Sequence, residues 1–449
     1  MQVRTRLGTS LLNAGIAGAF AASMFAPLPA QAVVEAPTSV FGCKHLETLA
    51  EPRSIEGEDG FFYRIFADLR LQHTFTDETV GYLAELSRVL KERGTTLVYA
   101  PVPTKSQAMP DQVPDRAELY GYDFKVAGFV YQNVIDRLRA AGVVAVDLQS
   151  ALRDSTPDTL PFHKADFHWN SNGARLAGKA IGEEIKAQPE YGETDPTEFE
   201  TNRLDLEISF SGMRKSLQTF CLDSLPAVES YAYETTEMAS GDLGGAVDLF
   251  GENTTVPIAL IGTSFSDSKV NNFDGFIQQY SSLPVTNYAI TGGNQFGAML
   301  SYLTSNEFQE NRPRFLVWEN PIYNNLGQYG PAPWIELLAA AANECSAPAT
   351  AVGQGNSLEF EVSLSGQDLA ENAVVMADAQ DEAVRAAAFF VTDARGNRRE
   401  VALKRNDRLR ATGRFFLPLP PFGKSEITSL RVVLDRPSEG QPAVHVCQY

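Results

Sequence analysis

Two short stretches carry the residue types needed for nucleophilic catalysis: Asp166-Phe167-His168-Trp169 and, much later, Gly262-Thr263-Ser264. A carboxylate two residues from an imidazole can hold one ring nitrogen and leave the other to take a proton. A serine brought in on a tight turn then supplies the nucleophile, each group activated by the next, and acyl transfer is the reaction class. The other histidines, at 45, 73, 163 and 445, lack such a partner pattern, whereas His168 has Asp166 before it and a capped helix pattern after it. Gly-Thr-Ser follows an apolar strand pattern. A strand–turn–helix transition there would expose Ser264 and aim helix N–H groups at a tetrahedral oxyanion. A simple turn and helix cap is the alternative. Gly292-Gly293-Asn294, after the next strand pattern, is the candidate for a further oxyanion donor, with a plain glycine turn as the competing reading. His163, Asp166 and His168 also offer nitrogen and oxygen ligands, but no HExxH motif is present, and the expectation is no metal and no other cofactor.

The elements that must position these groups alternate. Val80, Leu83, Leu86 and Leu90 form a helical stripe over residues 79–92, stopped by Gly94. A short buried strand over 96–100 ends in Pro101-Val-Pro-Thr-Lys105. Val126, Phe129, Val130, Val134 and Leu138 predict the next helix, and 143–148 a strand. Residues 173–186 read as helix, with Asn170, Ser171 or Asn172 as cap. Alternation lapses over 196–255, an excursion, then returns: strand 256–261, helix 273–280, strand 285–290, helix 295–304, and a last strand at 315–318. Strands separated by helices predict a mainly parallel sheet covered on both faces, with functional groups at the carboxyl ends of its strands. Beyond residue 345, period-two patterns predict a small β-sandwich, with strands near 358–364, 388–392, 401–403, 414–417, 430–434 and 443–446.

A chain of 449 residues has room for two or three cores. Its net charge of −19, from 37 basic and 56 acidic residues, argues against a general nucleic-acid binder. Arg4 and Arg6, an apolar stretch to Leu28, and Ala30-Gln31-Ala32 read as a signal peptide cleaved after Ala32, the alternative being a retained anchor. Export suits the four cysteines, which lack any CxxC pair and suggest two disulfides. Three connectivities are open. Cys345 and Cys447 bracket the C-terminal region, so the preferred pairing is Cys345–Cys447 with Cys43–Cys221. The expected division is a leader (1–32), a catalytic domain (33–344) and a β-sandwich (345–449).

The order DxHW, then GTSxS, then Gly-Gly after a strand, then a strand ending Val317-Trp318-Glu319, resembles the alginate O-acetyltransferase family of AlgX and AlgJ. Residues 55–62 and Ala100-Pro-Val-Pro-Thr-Lys105 are similar as well, so the resemblance covers roughly residues 43 to 330. It implies an SGNH-hydrolase-like three-layer fold with Ser264 as nucleophile, His168 as base and Asp166 as acid. The C-terminal β-region and the cysteine positions resemble AlgX in particular, which implies a carbohydrate-binding module. The resemblance further implies a periplasmic protein that takes acetyl groups supplied through a membrane-bound O-acyltransferase, within an envelope polysaccharide export complex. Many family members carry an arginine after Trp-Glu, where this chain reads Asn320-Pro-Ile-Tyr323-Asn-Asn; that departure bears on the acceptor polymer.

Between Arg395 and Arg414 the basic residues Arg398, Arg399, Lys404, Arg405, Arg408 and Arg410 face only Glu400 and Asp407. Together they predict a cationic track for the carboxylates of an anionic polysaccharide, against the alternative of a solvated strand pair. The function expected is acetyl transfer to such a polymer by a monomer. A carbohydrate esterase with the same triad, and a non-catalytic binding scaffold, are the competing readings.

Overall fold

The computed structural model describes residues 39–238, 256–349, 358–365, 369, 372–419 and 427–449. The expected leader lies outside them. Residues 39–449 belong to one compact unit.

The chain opens with a small antiparallel pair, β1 (Ser54–Glu56) and β2 (Phe62–Arg64). Helix α1 (Asp77–Glu92) starts on Thr76, whose hydroxyl accepts the Thr79 amide, and buries Val80, Leu83, Leu86 and Leu90. Strand β3 (Thr96–Val102) is buried throughout and leads into the short α2 (Lys105–Ala108), closed by a Thr104–Gln107 capping box. Helix α3 (Phe124–Ala140) departs from the expected stripe. Ala127, Gly128, Tyr131, Val134, Ile135 and Leu138 are buried, while Phe129 is 73% and Val126 43% exposed. Small residues face inward because Gln149 and Arg153 press against Gly128. The expected strand at 143–148 shrinks to β4 (Val144–Ala145), because Asp147 caps α4 (Leu148–Arg153) by accepting the Ser150 amide. Asn170 is the cap of α5 (Ser171–Lys186).

The excursion is a ribbon, β5 (Phe199–Ile208) against β6 (Glu229–Glu237), with α6 (Gly212–Gln218) between them. The Cys43–Cys221 disulfide ties it to the N-terminal segment. There follow β7 (Ile258–Ile261), α7 (Phe273–Ser281), β8 (Val285–Asn287), α8 (Gly297–Leu303), α9 (Asn306–Glu310) and β9 (Phe315–Pro321). The main sheet has the order β4-β3-β9-β7-β8 and is parallel throughout. β9 comes last in the chain yet lies at the centre.

An unanticipated helix, α10 (Ala332–Ala342), precedes β10 (Glu344–Cys345). The C-terminal strands are β11 (Glu359–Ser363), β12 (Val374–Asp378), β13 (Ala386–Asp393), β14 (Arg398–Lys404), β15 (Arg414–Pro418), β16 (Ile427–Leu434) and β17 (Ala443–Gln448). They form two four-stranded antiparallel sheets, β10-β17-β12-β15 and β11-β16-β13-β14, with an apolar core between. Cys345 and Cys447 are bonded across β10 and β17. Val374, Met376 and Phe416 on the outer face of the first sheet join the core of the α/β part, with Trp334 of α10. Among the described residues, no helix is long and apolar enough to cross a membrane.

Candidate active site

The residues 162–169 make a tight loop closed by a bridge between Phe162 and Trp169, and it carries both Asp166 and His168. Asp166 Oδ1 lies 2.6 Å from His168 Nδ1 and also accepts the His168 amide at 2.8 Å. The opposite ring nitrogen, Nε2, is 2.7 Å from Ser264 Oγ. Ser264 stands just past the carboxyl end of β7, so the three side chains converge at one rim of the parallel sheet. The second Asp166 oxygen accepts the hydroxyl of Ser211, the N-cap of α6. Burial pushes the Asp166 carboxyl up, but the His168 bond and charge, with Ser211, more than reverse this and hold it well below the usual carboxylate range.

Trp169 Nε1 donates to the Phe265 carbonyl at 2.9 Å, joining the Asp-His loop directly to the serine turn. Lys105, wholly buried, holds that loop from beneath. Its Nζ donates to the carbonyls of Phe62, Lys164 and Asp166 at 3.0, 2.8 and 3.0 Å. Burial pushes this ammonium down to about 7, against the pull of Asp68 and Asp166. The Phe167 ring packs on His168 with centroids 4.0 Å apart, and the Arg64 guanidinium sits over Phe167 and Tyr323 at 4.1 and 4.6 Å. Asp68 binds Arg64 bidentately at 3.0 and 2.9 Å, so this cation arrives already paired.

One expectation about the oxyanion needs correction. No helix begins at Ser264; α7 starts only at Phe273. Most of the turn's amides are engaged, with Ser266 N and Asp267 N on the Thr263 carbonyl, Phe265 N on Thr263 Oγ1 and Thr263 N on Glu319 of β9. The Gly292-Gly293-Asn294 turn, the candidate further donor, is partly engaged. Gly293 N donates to Ile290 O, and Asn294 Oδ1 accepts the amides of Phe296 and Gly297 at the start of α8. Gly292 has φ +74 and lies under Arg408, whose Nη1 would be 2.3 Å from a Cβ there.

The basic residues separate into two groups. Arg405 is buried and binds Glu336 of α10, Arg410 pairs with Glu307, and Arg414 binds Asp378 at 3.2 Å and the Asn306 side chain at 2.6 Å. These three fasten the sandwich to the α/β part, so the single continuous track expected from the sequence does not form. Arg398, Arg399 and Lys404 are exposed on β14, an edge strand, and Arg408 is exposed beside Gly292. His163, buried near Asp166, makes no ligand set: among the described residues, no group of three or more histidine, cysteine or acidic side chains is arranged to hold a metal.

Sequence reasoning missed Ser211, Arg64 and Asp68. Ser211 announces itself only as a serine ahead of a short helix inside the excursion.

Burial pushes the imidazoles of His163 and His73 down from 6.5 to about 4. Between those values the unfolded chain binds more protons than the folded one. The stability these two histidines contribute is therefore complete above pH 6.5 and drains away as pH falls toward 4. Denaturant melts at pH 7 and 4.5 should differ by about 2 kcal/mol for each histidine. His163→Gln should remove about half of that difference; an unaltered acid loss would assign it to other groups.

A serine, imidazole and carboxylate in relay at the rim of a parallel sheet, with Asp and His preceding Ser in the chain, define an SGNH-hydrolase-like serine acyl-transfer fold. Residues 55–322 match the family described as SGNH hydrolase-like domain, acetyltransferase AlgX, and the chain belongs to that family. It is 30% identical over 300 residues to the alginate biosynthesis protein AlgX of Pseudomonas aeruginosa, an alignment covering 67% of this chain and 62% of that protein. The match thus spans less than two thirds of that relative's length. The probable alginate O-acetylase AlgJ of the same organism is 28% identical, over 74% of this chain and 86% of AlgJ. The P. aeruginosa AlgX structure superposes with a TM-score of 0.71 at 24% identity, covering 88% of this chain and 93% of that one. The O-acetyltransferase domain of Pseudomonas putida AlgJ superposes at 0.50 and 23% identity, over 65% of this chain and 99% of that domain.

Proposed function

We propose that this protein is a polysaccharide O-acetyltransferase working through an acetyl-serine. The observation that carries the proposal is the relay of 2.6 and 2.7 Å from Asp166 through His168 to Ser264. His168 Nε2 takes the Ser264 proton as Oγ attacks the acetyl carbonyl of the donor. The imidazolium, steadied by Asp166, returns that proton to the departing group as the donor bond breaks. A sugar hydroxyl then gives its proton to His168 while its oxygen attacks the acetyl carbon, and Ser264 recovers a proton as its ester bond breaks. The Ser264 amide, for which the turn provides no acceptor among the described residues, is the donor placed for the oxyanion.

The names of the relatives point to alginate or a similar uronate polymer as acceptor. In this reading residues 33–344 carry the chemistry and residues 345–449 present the polymer. The exposed Arg398, Lys404 and Arg408, with Arg399 beside them on β14, are the candidates for binding its carboxylates. The leader pattern and the disulfides support action in the periplasm, and membership of the AlgX family suggests acetyl groups supplied through a membrane-bound O-acyltransferase, with an export complex as partner.

The test incubates purified protein with p-nitrophenyl acetate, with and without a mannuronate oligosaccharide. Acetylated oligosaccharide should appear by mass spectrometry, and free acetate should fall in proportion. Acetate as the sole product, whatever sugar is offered, would make the protein an esterase.

A further inference from the structure

Glu319 is fully buried at the carboxyl end of β9, the central strand, and takes no part in the relay above. Trp318 pairs with Ile261 of β7, so Glu319 stands beside Gly262 at the start of the serine turn. Among the described residues, every donor to its carboxylate comes from that turn. Thr263 N reaches Oε2 at 2.8 Å, Thr263 Oγ1 lies 3.1 Å and Ser266 Oγ 2.8 Å from the same oxygen. The approach is so close that a Cβ at Gly262 would lie 2.5 Å from Oε2. Residues on both sides of Ser264 are therefore gripped by one carboxylate.

We infer that Glu319 is a positioning residue, clamping Thr263 and Ser266 so that Ser264 Oγ is held against His168 Nε2. The inference rests on the acetyl-serine reading. Burial pushes the Glu319 carboxyl up to about 7, opposed only by bonds from the turn, and no cation pairs with it among the described residues. Packing alone would be served better by an apolar side chain, since an unpaired buried acid works against folding. A hydrogen-bonded anchor on a rigid central strand instead fixes the nucleophile, where a displacement near 1 Å can cost about 100-fold in rate.

The test compares Glu319→Gln, Glu319→Asp and Glu319→Ala with wild type and Ser264→Ala, using p-nitrophenyl acetate hydrolysis and transfer. Glutamine keeps an acceptor at the same reach and should retain kcat within about fivefold, with KM within about twofold. Aspartate keeps the charge but withdraws it by one methylene. It should lose about 10- to 100-fold in kcat at similar KM, and alanine at least as much. Glu319→Asp matching wild type, or Glu319→Gln falling as far as Glu319→Ala while melting normally, would overturn the positioning role. Should Glu319→Ala not fold, the glutamine and aspartate variants still decide. Full activity in Ser264→Ala would instead refute the acetyl-serine reading, a separate failure.

Discussion

Ser264→Ala should abolish the acetyl-enzyme and lower acetyl transfer by at least about 1,000-fold, with polymer binding intact. The loss is large because His168 and Asp166 act only through this oxygen: with Oγ gone, the base 2.7 Å away has no proton to take. Residual rate would come from donor binding and the turn amide alone. The direct measurement is intact mass after a brief exposure to p-nitrophenyl acetate. Wild type should gain one acetyl group at Ser264, and the variant none there. Because Ser264 is half-buried on a turn whose anchors are other residues, the variant should melt within about 1 kcal/mol of wild type. Wild-type transfer by a folded Ser264→Ala protein would leave the triad without a function.

Glu336→Ala should destabilise the protein by about 3–5 kcal/mol, the second large effect. Glu336 accepts both terminal nitrogens of Arg405 and the Phe416 amide at 3.3 Å, all in a buried seam between α10 and the sandwich. Alanine strands the Arg405 charge there, although the Arg414 carbonyl at 3.3 Å and the Phe415 ring at 5.2 Å keep a partial hold on it. Replacing both partners, Glu336→Leu with Arg405→Met, should cost far less, since neither charge is then left alone. Denaturant unfolding of the two single variants and the double variant measures this. A Glu336→Ala loss under about 1 kcal/mol would show that the seam is wetter than its burial suggests.

That seam also explains what pattern reading failed to find. Helix α10 is apolar nearly all round, and Trp334 through Ala342 are buried, so no polar face marks its period. Strand β12 is buried at every residue because one face meets the sandwich core and the other α10 and its neighbours, so Ala373 to Ala377 show no alternation. By contrast α1, α5, β13 and β16 each have one wet face, and their spacing locates them. On α3 the stripe misled for a different reason: bulk was read as inward, while packing against α4 chose Ala127 and Gly128.

Taken alone, the amino-acid order determined the α/β pattern, the C-terminal strands other than β12 and β10, the identities of Asp166, His168 and Ser264, and the contact between the first two. Neighbours two residues apart meet through local backbone geometry, and half-buried elements write their period into the chain. Only the tertiary structure brought Ser264 to His168, set Ser211 and Glu319 behind them, and divided the arginines between anchoring and exposed positions. Such partnerships depend on which strands become neighbours in the sheet. They join residues far apart in the chain, where no local spacing records the match.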